Sequence, residues 1–302
     1  MTTRTADGSA SLAHSPVLPA LALLFNALVW GVSWWPFRQL EARGVHPLWA
    51  TAIVFVFSLA CLVALRPSAW RGFKGRPLLW LLLLATGATN VGFNWAVTTG
   101  DVVRVVLLFY VMPAWSVLLA WLLLGDKPTA ASLLRVVLAL AGVAIVLKAP
   151  GASWPVPSST ADWLALGGGF SFALTNVLLR KLRDAPTDAR VLSMFGGGSL
   201  VASMAAVFGM SQGFVAMPPA PALGWVAFAA LLSVGFLASN LALQYGASRL
   251  SAHTSSLIML SEVIFASLSS VLLGASELSG RTLVGGALVV AAALLSALPA
   301  RR

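Results

Sequence analysis

Residues 110–127, YVMPAWSVLLAWLLLGDK, form an apolar stretch that is interrupted at its fourth position by Pro113. A second stretch, SEVIFASLSSVLLGAS at residues 261–276, follows the same plan with Glu262 as the interrupting residue. Each stretch closes with leucines and a glycine twelve positions after the interruption. This shared spacing is the first indication that the chain contains one unit written twice.

The composition places the chain in a lipid bilayer. Of its 302 residues, 59% are hydrophobic and 9% are charged, whereas charged residues alone make up about 25% of a soluble globular protein. The net charge of +10 could suit nucleic acid, but the basic residues lie in short clusters between apolar runs and form no single patch. We therefore expect a lipid bilayer and no nucleic acid as a partner. With a single cysteine, Cys61, the chain cannot form an intramolecular disulfide.

Ten apolar segments of roughly 18 to 25 residues are long enough to cross the hydrocarbon core as helices. They cover approximately residues 18–40, 46–65, 77–99, 103–124, 130–148, 161–181, 190–210, 221–246, 252–273 and 280–298. A loop-like stretch, APGASWPVPSST, separates the first five segments from the last five. This arrangement predicts the domains 1–17, an N-terminal tail; 18–148, a first repeat; 149–160, a linker; 161–298, a second repeat; and 299–302, a C-terminal tail.

The distribution of basic residues predicts the orientation. With the N-terminus in the cytoplasm, 14 of the 19 lysines and arginines fall on the cytoplasmic side, as the positive-inside rule requires. We therefore expect both tails in the cytoplasm, an extracytoplasmic linker, and a multi-pass protein of a bacterial-type inner (plasma) membrane. The polar N-terminus argues against a cleaved signal peptide. Because five spans are an odd number, the two repeats must be inverted relative to each other.

Residues in matching contexts support the repeat. The separations are 142, 146 and 149 residues for Arg38 and Arg180, Asn94 and Asn240, and Gly125 and Gly274. Short loop insertions absorb such small changes of offset. The sequence thus predicts an all-α integral membrane protein with ten transmembrane helices in two inverted five-helix repeats. This is a known plan of secondary transporters, which bind substrate near the midplane where the repeats meet.

Three motifs resemble a known family: WGVSWWPFR at residues 30–38, FYVMPAWSVLLAWLLLGD at 109–126 and LSEVIFASLSSVLLG at 260–274. With them the chain resembles the drug/metabolite transporter superfamily and its EamA-type ten-helix transporters, and it is similar to the YddG-type aromatic amino-acid exporters. The resemblance implies a secondary-active transporter that exports aromatic or hydrophobic amino acids, or similar small amphipathic metabolites, by alternating access. The alternative within the same fold is a broad-specificity drug/metabolite or lipid-head-group translocator.

That family usually carries Glu directly after the glycine that closes the fourth and ninth helices. In this chain those positions hold Asp126 and Ala275. The second departs from the pattern, so the family likeness assigns no role to Ala275.

Aromatic and hydroxyl side chains in the first helix are candidates for substrate binding. Trp30 and Ser33 share a stripe with Asn26 and Phe37, and Trp34 lies beside it. An interfacial aromatic belt does not explain Trp30, which lies near mid-span. It could stack on an aromatic substrate in a cavity, or it could pack between helices.

Amide side chains supply further candidates. Asn90 and Asn94 recur at helical spacing in the third helix, so they face protein or an aqueous cavity and not lipid. They could bind a polar substrate group or hydrogen-bond between helices. Asn240 is the repeat partner of Asn94, and Asn176 in the sixth helix corresponds to Trp34 by the offset of 142.

Polar residues at the two interruptions are the remaining candidates. Glu262 could exchange a proton for substrate, which makes protons a candidate partner, or it could anchor neighbouring helices. Pro113 removes a helix hydrogen bond and is expected to bend the fourth helix. Tyr110 could direct its hydroxyl into the same space. We also expect Asp101 and Arg104, three residues apart, to form a local pair.

An enzyme is not expected. The sequence contains no carboxylate pair in a metal-binding pattern, no His/Cys cluster and no phosphate-binding glycine loop with lysine. We therefore predict no catalytic residue, no metal and no cofactor, and a small-molecule substrate as the partner. A structural scaffold and a lipid scramblase remain the competing classes. The glycine triplets at 167–169 and 196–198 could serve close helix packing or a hinge.

Overall fold

The computed structural model describes residues 17–148, 154–250 and 252–297, and these form α-helices, one short 3₁₀ helix at Ala69–Phe73 and no β-strand. The α-helices are α1 Val17–Val32, α2 Trp34–Glu41, α3 Pro47–Leu65, α4 Leu78–Thr99, α5 Val102–Phe109, α6 Met112–Leu124, α7 Ala130–Leu147, α8 Thr160–Lys181, α9 Thr187–Ser211, α10 Leu223–Ala247, α11 Ala252–Met259, α12 Ser261–Leu272 and α13 Gly280–Ala297.

These helices account for the ten predicted segments and confirm an all-helical membrane fold. Within the described ranges, eight helices or continuous helix pairs are long and apolar enough to cross a membrane, and two shorter apolar helices follow at Leu257–Leu272 and Gly280–Leu295. Three of the ten segments consist of two half-helices: α1 with α2, α5 with α6, and α11 with α12.

The interruptions have local causes. Pro113 stands in the first turn of α6 and has no N–H to donate to the carbonyl four residues earlier, so the helix of the fourth segment is interrupted here. Pro36 has the same effect in α2, next to the break at Ser33. This break lies inside segment 18–40, which was predicted as one helix. The α11/α12 break contains no proline; there the hydroxyl of Ser261 donates to the carbonyl of Ile258 at 2.7 Å, which competes with the helix ladder.

Since the ten segments alternate in direction, the bundle has two ends. We call the end at which α1 begins and α8 finishes the terminal side. We call the end at which α2 finishes and α8 begins the opposite side.

The helix contacts between the two halves are symmetric, and the first segment of each half packs against the third and fourth segments of the other half. The α1 helix packs against α10 and α12, and its repeat counterpart α8 packs against α4 and α6, which are the counterparts of α10 and α12. The second segments of the repeats, α3 and α9, pack on each other, as do the fifth segments, α7 and α13. Each contact thus has an equivalent in the other half, as inverted repeats require.

Glycines allow the closest of these contacts. A Cβ added to Gly142 in α7 would lie 2.6 Å from the carbonyl oxygen of Gly285 in α13, and one added to Gly285 would lie 2.6 Å from the carbonyl oxygen of Gly142. Such reciprocal approach of two backbones is typical of small residues at helix interfaces in membranes.

Candidate functional site

A narrow apolar crevice lies where the first, third, fourth and ninth segments meet. It is too narrow to hold a water molecule. The crevice is lined by Trp30, Gly31, Trp34, Phe93, Val97, Val102, Val106 and Ala266. Gly31 is required here, since a Cβ at this position would lie 2.7 Å from Cβ of Phe265 and 2.9 Å from the carbonyl oxygen of Glu262.

Aromatic rings continue from the crevice through the bundle. Trp30 stacks on Phe236 with the ring centroids 4.4 Å apart, and it meets Phe93 edge to face at 6.3 Å. Phe93 in turn contacts Phe109 at 4.8 Å, and Phe109 contacts Phe172 at 5.4 Å. We call these five residues the aromatic chain. It connects five segments of the bundle, and both halves of the protein contribute to it.

A polar pair borders the crevice one helical turn toward the terminal side. Tyr110 follows Val106 by one turn of α5, and Glu262 precedes Ala266 by one turn of α12. The buried hydroxyl of Tyr110 donates to Oε2 of Glu262 over 3.4 Å. The structure therefore brings the predicted residues of the two interrupted segments into contact.

The opposite side of the crevice is closed by two residues of α2. The indole N–H of Trp34 donates to Oγ of Ser269 in α12 at 2.9 Å, and the guanidinium of Arg38 lies 5.2 Å from the centroid of the Trp34 ring. Arg38 also donates to three backbone carbonyls at the end of α4, those of Val97, Thr98 and Gly100. Trp34 and Arg38 thus join α2 to α12 and to α4.

A salt bridge fastens the same side further. The guanidinium of Arg104 donates to Oδ1 and Oδ2 of Asp162 at 2.8 and 2.9 Å, and to the carbonyl of Val146 at 2.8 Å. The prediction that the side chains of Asp101 and Arg104 form an ion pair is wrong. The carboxylate of Asp101 instead caps α5 by accepting from the backbone N–H of Arg104. Asp162 is 58 residues away in the chain, so sequence spacing could not reveal it.

One face of α8 changes from buried to exposed toward the terminal side. Ala165, Gly169, Phe172, Asn176 and Arg180 recur at helical spacing on this face. Ala165 and Gly169 are buried, Phe172 is half-buried, and Asn176 and Arg180 are exposed. Since Phe172 on this face contacts Phe109, the face points into the bundle at this level, and its exposed residues lie toward the terminal side.

Four of the predicted substrate-binding residues lie at the crevice or its border. Trp30 and Trp34 line it, and Tyr110 borders it. Ser33 is buried at the α1/α2 break and donates to the carbonyl of Trp30 at 2.8 Å. Ser33 thereby helps to hold the bend that places Trp30 and Trp34 beside each other.

The four predicted asparagines lie elsewhere. Asn94 is buried between α3 and α4, where its amide donates to Thr51 at 3.2 Å and its Oδ1 has no partner. Asn90 is half-buried and donates to a carbonyl of its own helix at 2.8 Å. Asn240 accepts from a glutamine one turn away at 2.7 Å, and Asn176 is exposed toward the terminal side. Their roles in substrate binding stay predictions.

Several residues of the site were not predicted. Phe93, Phe109 and Phe236 carry the aromatic chain, yet phenylalanine is common on lipid-facing surfaces and gives no signal by itself. Phe109 had one available signal, since it lies four residues before Pro113. Trp115, a second tryptophan near mid-span, packs edge to face on Phe170 at 5.4 Å and does not line the crevice. Among the described residues, no three His, Cys, Asp or Glu lie together.

Comparisons with known proteins agree with this architecture. The model of a family described as the EamA-like transporter family matches the chain twice, over residues 17–148 and 159–298. A solved structure titled only as the crystal structure of a protein is similar in fold, with a TM-score of 0.55 at 18% identity over 92% of this chain and 96% of that chain. None of the curated proteins that were compared matches the sequence.

Proposed function

Because the chain belongs to the EamA-like transporter family, a family of multi-pass membrane transporters in the drug/metabolite transporter superfamily, we propose that it exports aromatic or other hydrophobic amino acids, or similar small amphipathic metabolites. Transport would proceed by alternating access between the two sides of the bundle.

The observation that carries this proposal is the aromatic chain beside the Tyr110–Glu262 pair. Rings that already meet edge to face or stack can hold an aromatic substrate in the same geometry. Sites for small molecules combine an apolar lining with a few placed polar groups. An amphipathic substrate would insert its ring between Trp30 and Phe93 and leave its polar end at the hydroxyl of Tyr110.

The crevice has to widen before it can hold such a ligand, since its present space excludes even water. We place the approach to the crevice along the exposed end of α8 on the terminal side, because the contacts of Trp34 and Arg38 block the way to the opposite side. In the orientation favoured by the basic residues, with the terminal side in the cytoplasm, the substrate would enter from the cytoplasm and leave on the opposite side.

Glu262 has two candidate roles in this scheme. Its carboxyl group accepts the hydrogen bond of Tyr110 and so supports the role of an anchor that positions the Tyr110 hydroxyl. The second role, carrying a proton in exchange for substrate, would make transport respond to a pH gradient. We assign the anchor role to Glu262, and the response of a Glu262→Gln variant to a pH gradient tests the proton-carrier role.

Reconstitution into proteoliposomes tests the function. Vesicles loaded with unlabelled L-tryptophan or L-phenylalanine are expected to accumulate the labelled L-amino acid by saturable counterflow and to discriminate against the D-enantiomer. Transport of fluorescent lipid without amino-acid counterflow would instead identify a lipid translocator. Chemical change of an added substrate would identify an enzyme. Counterflow of chemically unrelated compounds at equal rates would identify a broad-specificity transporter.

A further inference from the structure

We propose that Arg38 and Arg180 are paired latches that close the two sides of the transporter in turn. This inference rests on the alternating access of the proposed function, but not on the identity of the substrate. Arg38 closes the opposite side in the present structure, and Arg180 takes the equivalent position on the terminal side in the other state.

The contacts of Arg38 are those of a closed latch. Its Nε atom lies 3.3 Å from the carbonyl oxygen of Val97 and 3.1 Å from that of Thr98, and its Nη2 atom donates to the carbonyl of Gly100. These carbonyls end α4, where the helix dipole favours a cation. Hydrogen bonds from a charged donor are also stronger than those between neutral groups. Arg38 therefore holds α2 against α4 at the end of the crevice that faces the opposite side.

By the offsets of the repeat, Arg38 and each of its three carbonyl acceptors have an equivalent residue in the second half. Arg180 follows Arg38 by 142 residues, and Gly246 follows Gly100 by 146 in the matching contexts SNLALQYG and FNWAVTTG. The same offset of 146 takes Val97 and Thr98 to Leu243 and Gln244. Gly246 lies in the last turn of α10, as Gly100 lies at the end of α4. The carbonyls of these three residues are the acceptors that a closed Arg180 would use. Those of Gln244 and Gly246 now accept backbone N–H groups from residues 248–250, so Arg180 would share or replace these bonds.

In the present structure Arg180 is released from that position. Its side chain is 64% exposed and pairs with Asp126, which is 45% exposed, at 2.6 Å. An ion pair between such exposed groups contributes little. It also has no equivalent in the other half, because the repeat partner of Asp126 by the offset of 149 is Ala275. One arginine is thus engaged with helix carbonyls on the opposite side, while its repeat partner is exposed on the terminal side.

Inverted repeats explain why the two positions should exchange. Two halves with the same fold and opposite orientation can each adopt the conformation of the other, and this exchange turns a protein that is open on one side into one that is open on the other. Arg180 would then bond the end of α10, and Arg38 would leave the end of α4. Each latch stabilises only one of the two states, so removal of either one shifts the equilibrium in a direction of its own.

Thiol labelling measures this shift without any substrate. In a Cys61→Ser background, a single reporter is introduced by Val106→Cys in the crevice, and a membrane-impermeant maleimide is added to oriented vesicles from the opposite side. Arg38→Gln is expected to raise the labelling rate about tenfold, and Arg180→Gln to lower it about tenfold, as loss of a hydrogen-bonded charge implies. Arg38→Lys, which keeps the charge but loses the fork of donors, is expected to lie between wild type and Arg38→Gln.

Matched controls separate a latch from a general effect of lost charge. Arg43→Gln on the opposite side and Arg183→Gln on the terminal side are expected to label at the wild-type rate. Asp126→Asn removes only the exposed pair and is expected to raise labelling by less than about twofold. Equal labelling in both latch variants and their controls, or a shift of both latch variants in the same direction, would overturn the proposal. If the protein shows no amino-acid counterflow but Arg38→Gln and Arg180→Gln still shift the labelling rate in opposite directions, the proposed substrate class is wrong and the latch proposal stands.

Discussion

The hydroxyl of Tyr110 donates to the carboxyl group of Glu262 across 3.4 Å, although the two residues are 152 positions apart in the chain. Tyr110 directly follows the half-helix α5 as its C-cap, and Glu262 stands in the first turn of α12. The bond therefore joins the interruption of the fourth segment to that of the ninth, which are counterparts in the two repeats.

Tyr110→Phe is expected to slow aromatic amino-acid counterflow by roughly three- to tenfold, because it removes the hydrogen bond and the polar border of the crevice. Glu262→Gln keeps an amide oxygen that can accept from Tyr110, and its counterflow is expected to stay within about twofold of wild type. Glu262→Leu, which lacks an acceptor, is expected to resemble Tyr110→Phe. Initial rates in proteoliposomes provide the comparison.

An imposed pH gradient distinguishes the two roles of Glu262. If Glu262 is an anchor, the Glu262→Gln variant responds to the gradient as the wild type does, and this is the outcome that we expect. Loss of the response in this variant, with counterflow retained, would instead assign the proton to Glu262.

Trp30→Ala is expected to reduce counterflow of tryptophan and phenylalanine more than tenfold, because it removes the ring that stacks on Phe236 at 4.4 Å. Counterflow of leucine is expected to fall less, since an aliphatic side chain gains less from stacking. Trp35→Ala is the matched control: Trp35 is 39% exposed and contacts Phe228 away from the crevice. Equal losses for aromatic and aliphatic substrates would remove the aromatic chain as the determinant of specificity.

The ten segments and the bend at Pro113 could be predicted because they depend on local properties, namely the length of apolar runs and the missing N–H of proline. The second bend, at Ser33, has the same visible cause in Pro36 but interrupts an otherwise uniform apolar run. Trp30 and Trp34 could be predicted since tryptophan away from the membrane interface needs an explanation.

The partners of these residues could not be predicted. In a membrane helix nearly every side chain is apolar, so periodicity does not separate the face toward lipid from the face toward protein. Phe93 and Phe236 therefore gave no signal. The amide of Asn94 was correctly expected to avoid lipid, but whether it meets Thr51 or a cavity depends on how α3 packs against α4. The same limitation hid Asp162 as the partner of Arg104.

Two glycines of one triplet are expected to respond differently to alanine. A Cβ at Gly169 would lie 2.5 Å from the carbonyl oxygen of Phe109, whereas a Cβ at Gly167 would have no neighbour within 4 Å. Gly169→Ala is therefore expected to destabilise the protein by about 1 to 3 kcal/mol. Gly167→Ala is expected to be neutral or to stabilise it by up to about 1 kcal/mol, because alanine favours the helix. Thermal unfolding in detergent measures both.

The same pair of variants tests the hinge hypothesis. The α8 helix runs unbroken through the triplet, which favours close packing as the role of these glycines. Gly167→Ala is accordingly expected to transport at the wild-type rate. A stable Gly167→Ala variant with much slower counterflow would show that α8 bends here during transport.

The stability of the protein is expected to depend on pH through His46, which lies outside the membrane-spanning segments. Its Nδ1 atom accepts from the backbone N–H of Leu48 at 3.2 Å and so caps α3. Burial lowers the pKa of His46 below the ordinary 6.5, because the imidazolium loses water. The folded state therefore favours neutral His46 more than the unfolded state does. The stability that neutral His46 contributes is fully present above about pH 6.5 and is lost as the pH falls below that value.

Two substitutions of His46 separate its charge from its cap. His46→Asn keeps an oxygen that can accept from Leu48 but does not titrate, so its unfolding temperature is expected to change less than that of wild type between about pH 8 and pH 5. His46→Ala is expected to be equally flat but less stable by about 1 kcal/mol at pH 8, because the cap is lost. If both variants retain the wild-type pH profile, a different group controls the acid sensitivity. If His46→Ala matches His46→Asn at pH 8, the hydrogen bond to Leu48 does not stabilise α3.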